Sequence, residues 1–312
     1  MVQAISNDFS KIPSVQLSRL QDNRIPAFSS PGCVVHQVAN HQEAADAFST
    51  LTQTADWTLL IAPEIDNRLA ELCQQVEENG GRLLGPNSRF AALAADKWEL
   101  HRCFVEGGVP TPDTFLCEHP PHDIPPAAFP LVAKPRYGAG SLQISVLPNR
   151  DALGHFKSPQ SQHILQKLMP GQAVSTSVLC GDRKPWVLPT MTQDLSCDGR
   201  FSYLGGHGPL PKDLCRRAHS LVMLSLHAMP PTIGYVGVDL ILGPAPDGSD
   251  DRVIEINPRM TTSYIGLRQL AEQNLAQAIL EIAQGRSSDL SFRDSTIRFS
   301  SAGTVQREIN NA

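Results

Sequence analysis

No window of the 312-residue chain approaches the roughly twenty consecutive apolar residues that cross a bilayer as a helix. The first fifteen residues, with Asp8, Lys11 and Pro13 among them, hold no apolar core of the kind a secretory leader needs. No run of Lys and Arg is long enough to form a basic stripe, and the formal net charge is −5. Both argue against non-specific nucleic-acid binding. The seven cysteines (33, 73, 103, 117, 180, 197 and 215) are odd in number and contain no C-x-x-C pair. Neither a disulfide framework nor a zinc site is indicated, which fits a reduced cytoplasm. Internal repeats and low-complexity tracts are absent too. What is present is a composition of 41% apolar and 18% charged residues, in a chain long enough for two or three domains or lobes.

The most informative stretch is Gly237-Val238-Asp239-Leu240-Ile241 together with Val253-Ile254-Glu255-Ile256-Asn257-Pro258-Arg259. Both halves are apolar enough for buried strands, and the segment 243–251 between them is dense in Gly, Pro, Asp and Ser. Two antiparallel strands joined by a polar loop are therefore expected. Glu255 and Asn257 are two apart and share a face, with Asp239 opposite them. Carboxylates among Val, Ile and Leu are costly unless neutralised. Pairing with a neighbour such as Arg259 would do this, and so would a hard cation with oxygen ligands. Three protein oxygens leave coordination positions open for water and phosphate, so this pattern points to a magnesium–nucleotide site.

In chain order, residues 1–30 are weakly patterned and expected to be loosely ordered in part. A short strand at Cys33–Val35 and a helix over 43–51 precede an apolar strand at 57–62. A helix begins at Pro63-Glu64 and ends at Gly80-Gly81, and residues 82–85 follow as a strand. This β-α-β order implies a small, mainly parallel sheet. Asn87 or Ser88 caps one helix running to Gly107-Gly108, with a domain boundary near residue 88. The segment 119–126 reads as a surface loop. Lys134 ends the strand 129–135, and the Gly-rich turn Arg136–Ser141 leads into a strand at 142–147. Glycines let backbone N–H groups approach phosphate closely, and a lysine in an apolar strand calls for an anion. A helix at 151–156 and strands at 163–169, 173–180 and 186–190 follow. The segment 193–211 reads as a long polar loop, of a length often functional. One helix covers 212–229. Another, capped by Thr261, Thr262 or Ser263, ends at Gly285. A last strand is expected near 296–301.

This order of Asp96-Lys97, strand-ending Lys134, glycine-rich hairpin, strand with Pro170-Gly171, and Asp…Glu-x-Asn hairpin resembles the ATP-grasp superfamily of carboxylate–amine ligases. The resemblance covers roughly 55–285. It implies an α/β (α+β) fold in which two lobes hold a nucleotide between them, behind a small parallel-sheet domain. Residues 1–88 would form that first domain and 89–312 the ATP-grasp domain, with lobes at about 89–170 and 171–312. The run Asn257–Tyr264 and Tyr203–Gly206 are similar to the branch that contains the tyramine–L-glutamate ligases of methanofuran biosynthesis.

By this resemblance Lys97 and Lys134 contact phosphates. Tyr137, Gly138, Ala139, Gly140 and Ser141 form the closing loop. Gln166, Lys167, Leu168 and Met169 form the adenine hinge, and Gln172 stands near the ribose. Asp239, Glu255 and Asn257 would bind two Mg²⁺ ions, or Mn²⁺, and Arg259 would grip the transferred phosphoryl group or the activated carboxylate. Lys134 and Arg259 are thus the catalytic candidates, and Tyr203, Arg259 and Ser263 the substrate candidates. Lys184, Arg200 and Arg268 could also hold an amino-acid carboxylate, with His207 and Tyr264 on the amine side. Many members carry acids where this chain has Gln166 and Gln172-Ala173. The implied activity joins the γ-carboxylate of L-glutamate to tyramine through an acyl phosphate. Another dipeptide-type or bicarbonate-phosphorylating ligase, or a non-catalytic nucleotide-binding protein, are the rival readings. Small-molecule substrates and a cytoplasmic protein, with a homodimer compatible, complete the expectation.

Overall fold

The computed structural model describes residues 1–308 apart from 27, 29, 118–123 and 158–161. Its helices are α1 (Val2–Phe9), α2 (His41–Thr54), α3 (Arg68–Glu78), α4 (Ser88–Ala95), α5 (Lys97–Glu106), α6 (Arg150–His155), α7 (Lys212–Ala228), α8 (Ser263–Leu270) and α9 (Leu275–Ala283). The strands are β1 (Leu17–Asp22), β2 (Cys33–Val38), β3 (Thr114–Leu116), β4 (Leu131–Pro135), β5 (Ser145–Leu147), β6 (His163–Lys167), β7 (Gln172–Cys180) and β8 (Trp186–Val187). They continue with β9 (Met191–Thr192), β10 (Asp194–Leu195), β11 (Tyr203–Gly208), β12 (Gly234–Leu242), β13 (Arg252–Asn257), β14 (Thr296–Ser300) and β15 (Val305–Glu308).

The amino-terminal part differs most from expectation. Residues 1–30 are expected to be loosely ordered in part, yet α1 buries Ile5 and Phe9, and β1 pairs in parallel with β2. Asp8 accepts hydrogen bonds from Arg268 Nε at 2.6 Å and Tyr264 Oη at 2.7 Å, so the first helix is tied to α8. The expected strands at 57–62 and 82–85 reduce to one parallel bridge, Thr58 to Leu83. Residues 57–62 nonetheless alternate as an extended chain does. Trp57, Leu59 and Ile61 pack on one core, and Leu60 and Ala62 on another. The apolar pattern reports burial on two sides, while the backbone pairing is brief: Thr58 donates to Arg82 O at 2.7 Å and accepts from Leu84 N at 2.8 Å. The helix expected from Pro63 begins only at Arg68. Before it lies a single 3₁₀ turn in which Asp66 (φ 50°) and Asn67 (φ 62°) are left-handed.

The helix expected from 88 to 106 is two. Asn87 caps α4 by accepting from Phe90 N, and Asp96 caps α5 by accepting from Trp98 N and Glu99 N. An aspartate mid-helix competes for backbone donors and favours a cap. Here Arg136 Nη2 at 2.6 Å and Tyr137 Oη at 2.7 Å hold it there.

Beyond α5 lie three antiparallel sheets. The first runs β3-β6-β4-β5 around Leu131, Ala133, Leu147 and Leu165. The second runs β13-β12-β7-β8, with β9 beside β7. Its one face carries Val178, Val236, Val238 and Leu240 against α5 and α7, and its other carries Leu179 and Tyr235 toward α1, α8 and α9. The third runs β10-β11-β14-β15, so the segment expected to be one irregular loop contributes two strands. The strand expected at 142–147 shortens to β5, because Ser141 and Gln143 are left-handed (φ 61° and 56°). That expected at 186–190 keeps two paired residues. The long helix after Thr261 splits where Asn274 caps α9 and reaches back from Nδ2 to Asp8 O at 2.8 Å. Most of the surface loop expected at 119–126 lies outside the described residues; Pro126 opens a 3₁₀ turn. None of the seven cysteines forms a disulfide, and no helix among the described residues is long and apolar enough to cross a membrane.

Candidate functional site

Between the first two sheets lies a cavity of about 600 Å³, lined from both and from the loops at 138–144, 193–203 and 259–263. Period-two alternation decides which strand residues reach it. On β4, Leu131 and Ala133 fill the sheet's own core, while Val132 and Lys134 face the cavity. On β12, Val236, Val238 and Leu240 are buried beneath α7, which turns Gly237 and Asp239 to the other side. The register then sets Asp239 directly opposite Glu255, and Gly237 opposite Asn257. Gly237 is required here, because a Cβ would stand 2.3 Å from Thr261 Cγ2.

The two carboxylates behave differently. Burial raises the pKa of Asp239, and the Glu255 charge raises it further; the Asn257 amide, donating from Nδ2 to Oδ2 at 3.0 Å, opposes the rise. Ser175 and Gln193 lie against the same carboxylate and oppose it as well. Burial would also raise Glu255, but Lys97, Lys134 and Arg259 outweigh it and hold it below its ordinary value. Lys97 Nζ is 3.8 Å from Glu255 Oε2 and donates to Gly138 O at 2.6 Å, so one cation touches both the acidic hairpin and the glycine-rich loop. Lys134 is only 7% exposed, and burial brings its pKa down to about 8 against the pull of Glu255.

Asp239 Oδ1 is buried without a hydrogen-bond partner, an arrangement that costs free energy unless something occupies it. With Glu255 opposite and Asn257 adjacent, the oxygen donors fit a hard cation such as Mg²⁺ or Mn²⁺. Asn257 would have to turn its amide to offer Oδ1. Among the described residues no third acid, histidine or cysteine joins the pair. An anion has Lys97, Lys134 and the loop Gly138–Ser141 to meet on the other wall.

Of the residues expected from sequence, Lys97, Lys134, Gly138–Ser141, Gln166–Met169, Tyr203, Asp239, Glu255, Asn257, Arg259 and Ser263 all line this one cavity. Two do not. Tyr137 turns away to hydrogen-bond Asp96, and Gln172 is exposed at the start of β7. The further amine- and acid-side candidates Lys184, Arg200, His207, Tyr264 and Arg268 are outside it as well; Tyr264 and Arg268 are committed to Asp8. Ser175, Gln193, Leu142, Ile144, Leu195 and Phe201 line the cavity and were not singled out by sequence. Alternation on β7 could have found Ser175; the loop residues carry no periodic signal.

A link joins the cavity-lining segments 138–144 and 193–203. Ser141 Oγ donates to Phe201 O at 2.7 Å, and both residues are left-handed (φ 61° and 52°). Such conformations are costly for side chains with a Cβ and persist where the surroundings enforce them.

Residues 94–263 match the ATP-grasp domain family, and residues 15–89 match the pre ATP-grasp 3 domain family. The chain belongs to the ATP-grasp family. It is 26% identical over 238 residues to a tyramine–L-glutamate ligase of Methanocaldococcus fervens, an alignment covering 76% of this chain and 69% of that one. Among solved structures it is similar to an ATP-grasp superfamily protein from Archaeoglobus fulgidus (24% identity, TM-score 0.62, 85% of this chain and 74% of that one). It also shares its fold with an L-amino acid ligase from Bacillus licheniformis (15% identity, TM-score 0.75, 95% and 76%).

Proposed function

We propose that this ATP-grasp protein is an ATP-dependent ligase that joins a carboxylate to an amine through an acyl phosphate, with L-glutamate and tyramine as substrates. The observation that carries the reading is the convergence of Asp239, Glu255 and Asn257 with Lys97, Lys134 and Arg259 in one cavity. Oxygen donors on one wall and ammonium groups on the other suit a triphosphate held between them. The tyramine–L-glutamate ligase relative supports the substrate pair.

In this reading a γ-carboxylate oxygen of glutamate attacks the γ-phosphorus of ATP. The bond from that phosphorus to the β–γ bridging oxygen breaks, and ADP leaves. The amine nitrogen then attacks the acyl carbon, the C–O bond to phosphate breaks, and the nitrogen loses a proton to give γ-glutamyltyramine. Phosphoryl transfer of this kind is governed by positioning and charge neutralisation, and needs no protein nucleophile. Lys134, in a site drier than water, holds phosphate oxygens more strongly than an exposed lysine could. Lys97 and the loop 138–141 follow the terminal phosphates, and Gln166–Met169 border the base. Asp239, Glu255 and Asn257 would hold Mg²⁺, which when bound neutralises the phosphates and the group in flight. The Ser141–Phe201 link keeps the loop closed, so the acyl phosphate is shielded from water.

The test is incubation with Mg·ATP, candidate acids and hydroxylamine. Hydroxamate and ADP formed with L-glutamate, and γ-glutamyltyramine formed when tyramine replaces hydroxylamine, are the expected results. Hydroxamate from a different acid alone would reject the substrate pair, and nucleotide binding with no turnover of any acid would reject the ligase.

A further inference from the structure

Arg259 is held from a part of the chain that sequence reasoning assigned no functional role. Glu64, 195 positions earlier, is only 4% exposed and contacts the guanidinium through both oxygens. Arg259 Nη2 donates to Glu64 Oε2 at 3.0 Å, and Nε lies 2.8 Å from Oε1. Nη1 donates to Met260 O at 3.2 Å. A guanidinium carries five N–H groups in one rigid plane. Two of them, one on each terminal nitrogen, donate to Glu64 Oε2 and Met260 O, and the Nε–H, though 2.8 Å from Oε1, is not aligned on it; one N–H is left on each terminal nitrogen. That pair is the open end of the fork, the end that grips a carboxylate or phosphoryl group in a bidentate way. Arg259 lines the cavity and Glu64 does not, so the carboxylate stands behind the arginine.

A further observation gives Glu64 more than a packing role. Arg259 has a competing acceptor: Glu255 already feels its charge. Without Glu64 the guanidinium would be drawn toward Glu255, one of the two carboxylates facing each other across β12 and β13.

We infer that Glu64 is a positioning residue. It fixes Arg259 with its free fork toward the acid's reacting carboxyl group and keeps it off Glu255. The inference rests on the ligase reading above. It is tested with Glu64→Ala and Glu64→Gln, using whichever acid the wild-type protein turns over with Mg·ATP and hydroxylamine, beside Mg·ADP binding by calorimetry. Glu64→Ala is expected to raise KM for the acid about tenfold or more, with KM for ATP and Mg·ADP affinity within about twofold of wild type. Glu64→Gln, which keeps an acceptor oxygen without the charge, falls between. In an Arg259→Lys background, Glu64→Ala should add little. A general loss of activity that tracks the folded fraction, with unchanged KM for the acid, assigns Glu64 a purely structural role and overturns the inference. So does an alanine variant with wild-type kinetics, which leaves the ligase reading standing. A wild-type protein that turns over no acid overturns both.

Discussion

Replacing Asp96 should reveal how one side chain couples the helix break to the nucleotide cavity. Its carboxylate caps α5, pairs with Arg136 and accepts from Tyr137. In Asp96→Ala the lost cap costs about 1 kcal/mol. Tyr137 loses its acceptor, for about another 1 kcal/mol. An uncompensated buried arginine would cost about 3–5 kcal/mol. Arg136, however, keeps 18% of its side chain exposed and has Gln162 Oε1 at 3.4 Å, so about 1–2 kcal/mol is the better figure. The total is about 3–4 kcal/mol, or roughly 6–16 °C in melting temperature at the 2–4 °C per kcal/mol of a large domain. Asp96→Asn keeps Oδ1 for the cap, with its Nδ2 in place of Oδ2 and able to donate to Tyr137 Oη, and should lose about 1–2 kcal/mol through the ion pair. Burial works against the ionised form of Asp96, but hydrogen bonds from Arg136, Tyr137 and Glu99 N hold its pKa below the ordinary value. A depressed carboxylate stabilises above its unfolded pKa, near 3.9, and this contribution fades as pH falls through the lower folded value. The gap between wild type and Asp96→Asn should therefore be full at pH 7 and shrink below about pH 4. Because Asp96 also sets where α5 begins, the alanine variant should displace Lys97 and raise KM for ATP. Thermal melts at both pH values, with nucleotide titrations, decide the matter. An alanine variant within about 0.5 kcal/mol of wild type, or a gap that widens in acid, would refute the reasoning.

Glu255→Ala should abolish ADP formation and change the melting temperature little, since its charge is matched to a triphosphate site more than to packing; an active variant with a large melting loss contradicts this. Ser141→Ala removes the donor to Phe201 O and should raise acid-independent ADP release, measured in a coupled assay, while leaving folding intact; unchanged leakage would show that the link does not keep the loop closed. Gly237→Ala drives a Cβ against Thr261 and should push the loop 259–263 outward, raising KM for the acid at least tenfold in the hydroxamate assay; wild-type kinetics would mean the loop tolerates the shift.

The site was more legible than the fold around it. Lys134, Asp239, Glu255 and Asn257 stand out because charge on an apolar strand is costly, and that cost is visible in the string itself. Period two then put Asp239, Glu255 and Asn257 on one face, with Asp239 in register opposite Glu255. Tyr137 and Gln172 were misplaced because loop residues and strand ends have no period to fix direction. The break at Asp96 was written in the chain as a capping residue, yet flanking apolar spacing masked it. Residues 57–62 failed in the opposite way: their alternation reported two-sided burial, and the segment alongside pairs with them at Thr58, too briefly for a ladder.

Local chemistry in the chain determined the acidic hairpin, the cationic strand facing it and the glycine-rich turn, because each depends on neighbours a few positions away. The tertiary structure alone decided that Glu64 stands behind Arg259, that Asp8 anchors Tyr264 and Arg268, and that Ser141 reaches Phe201. Those pairs are 195, 256 and 60 positions apart. A contact of that span leaves no periodicity in either partner's surroundings, and exists only once the packing of whole sheets has brought the two together.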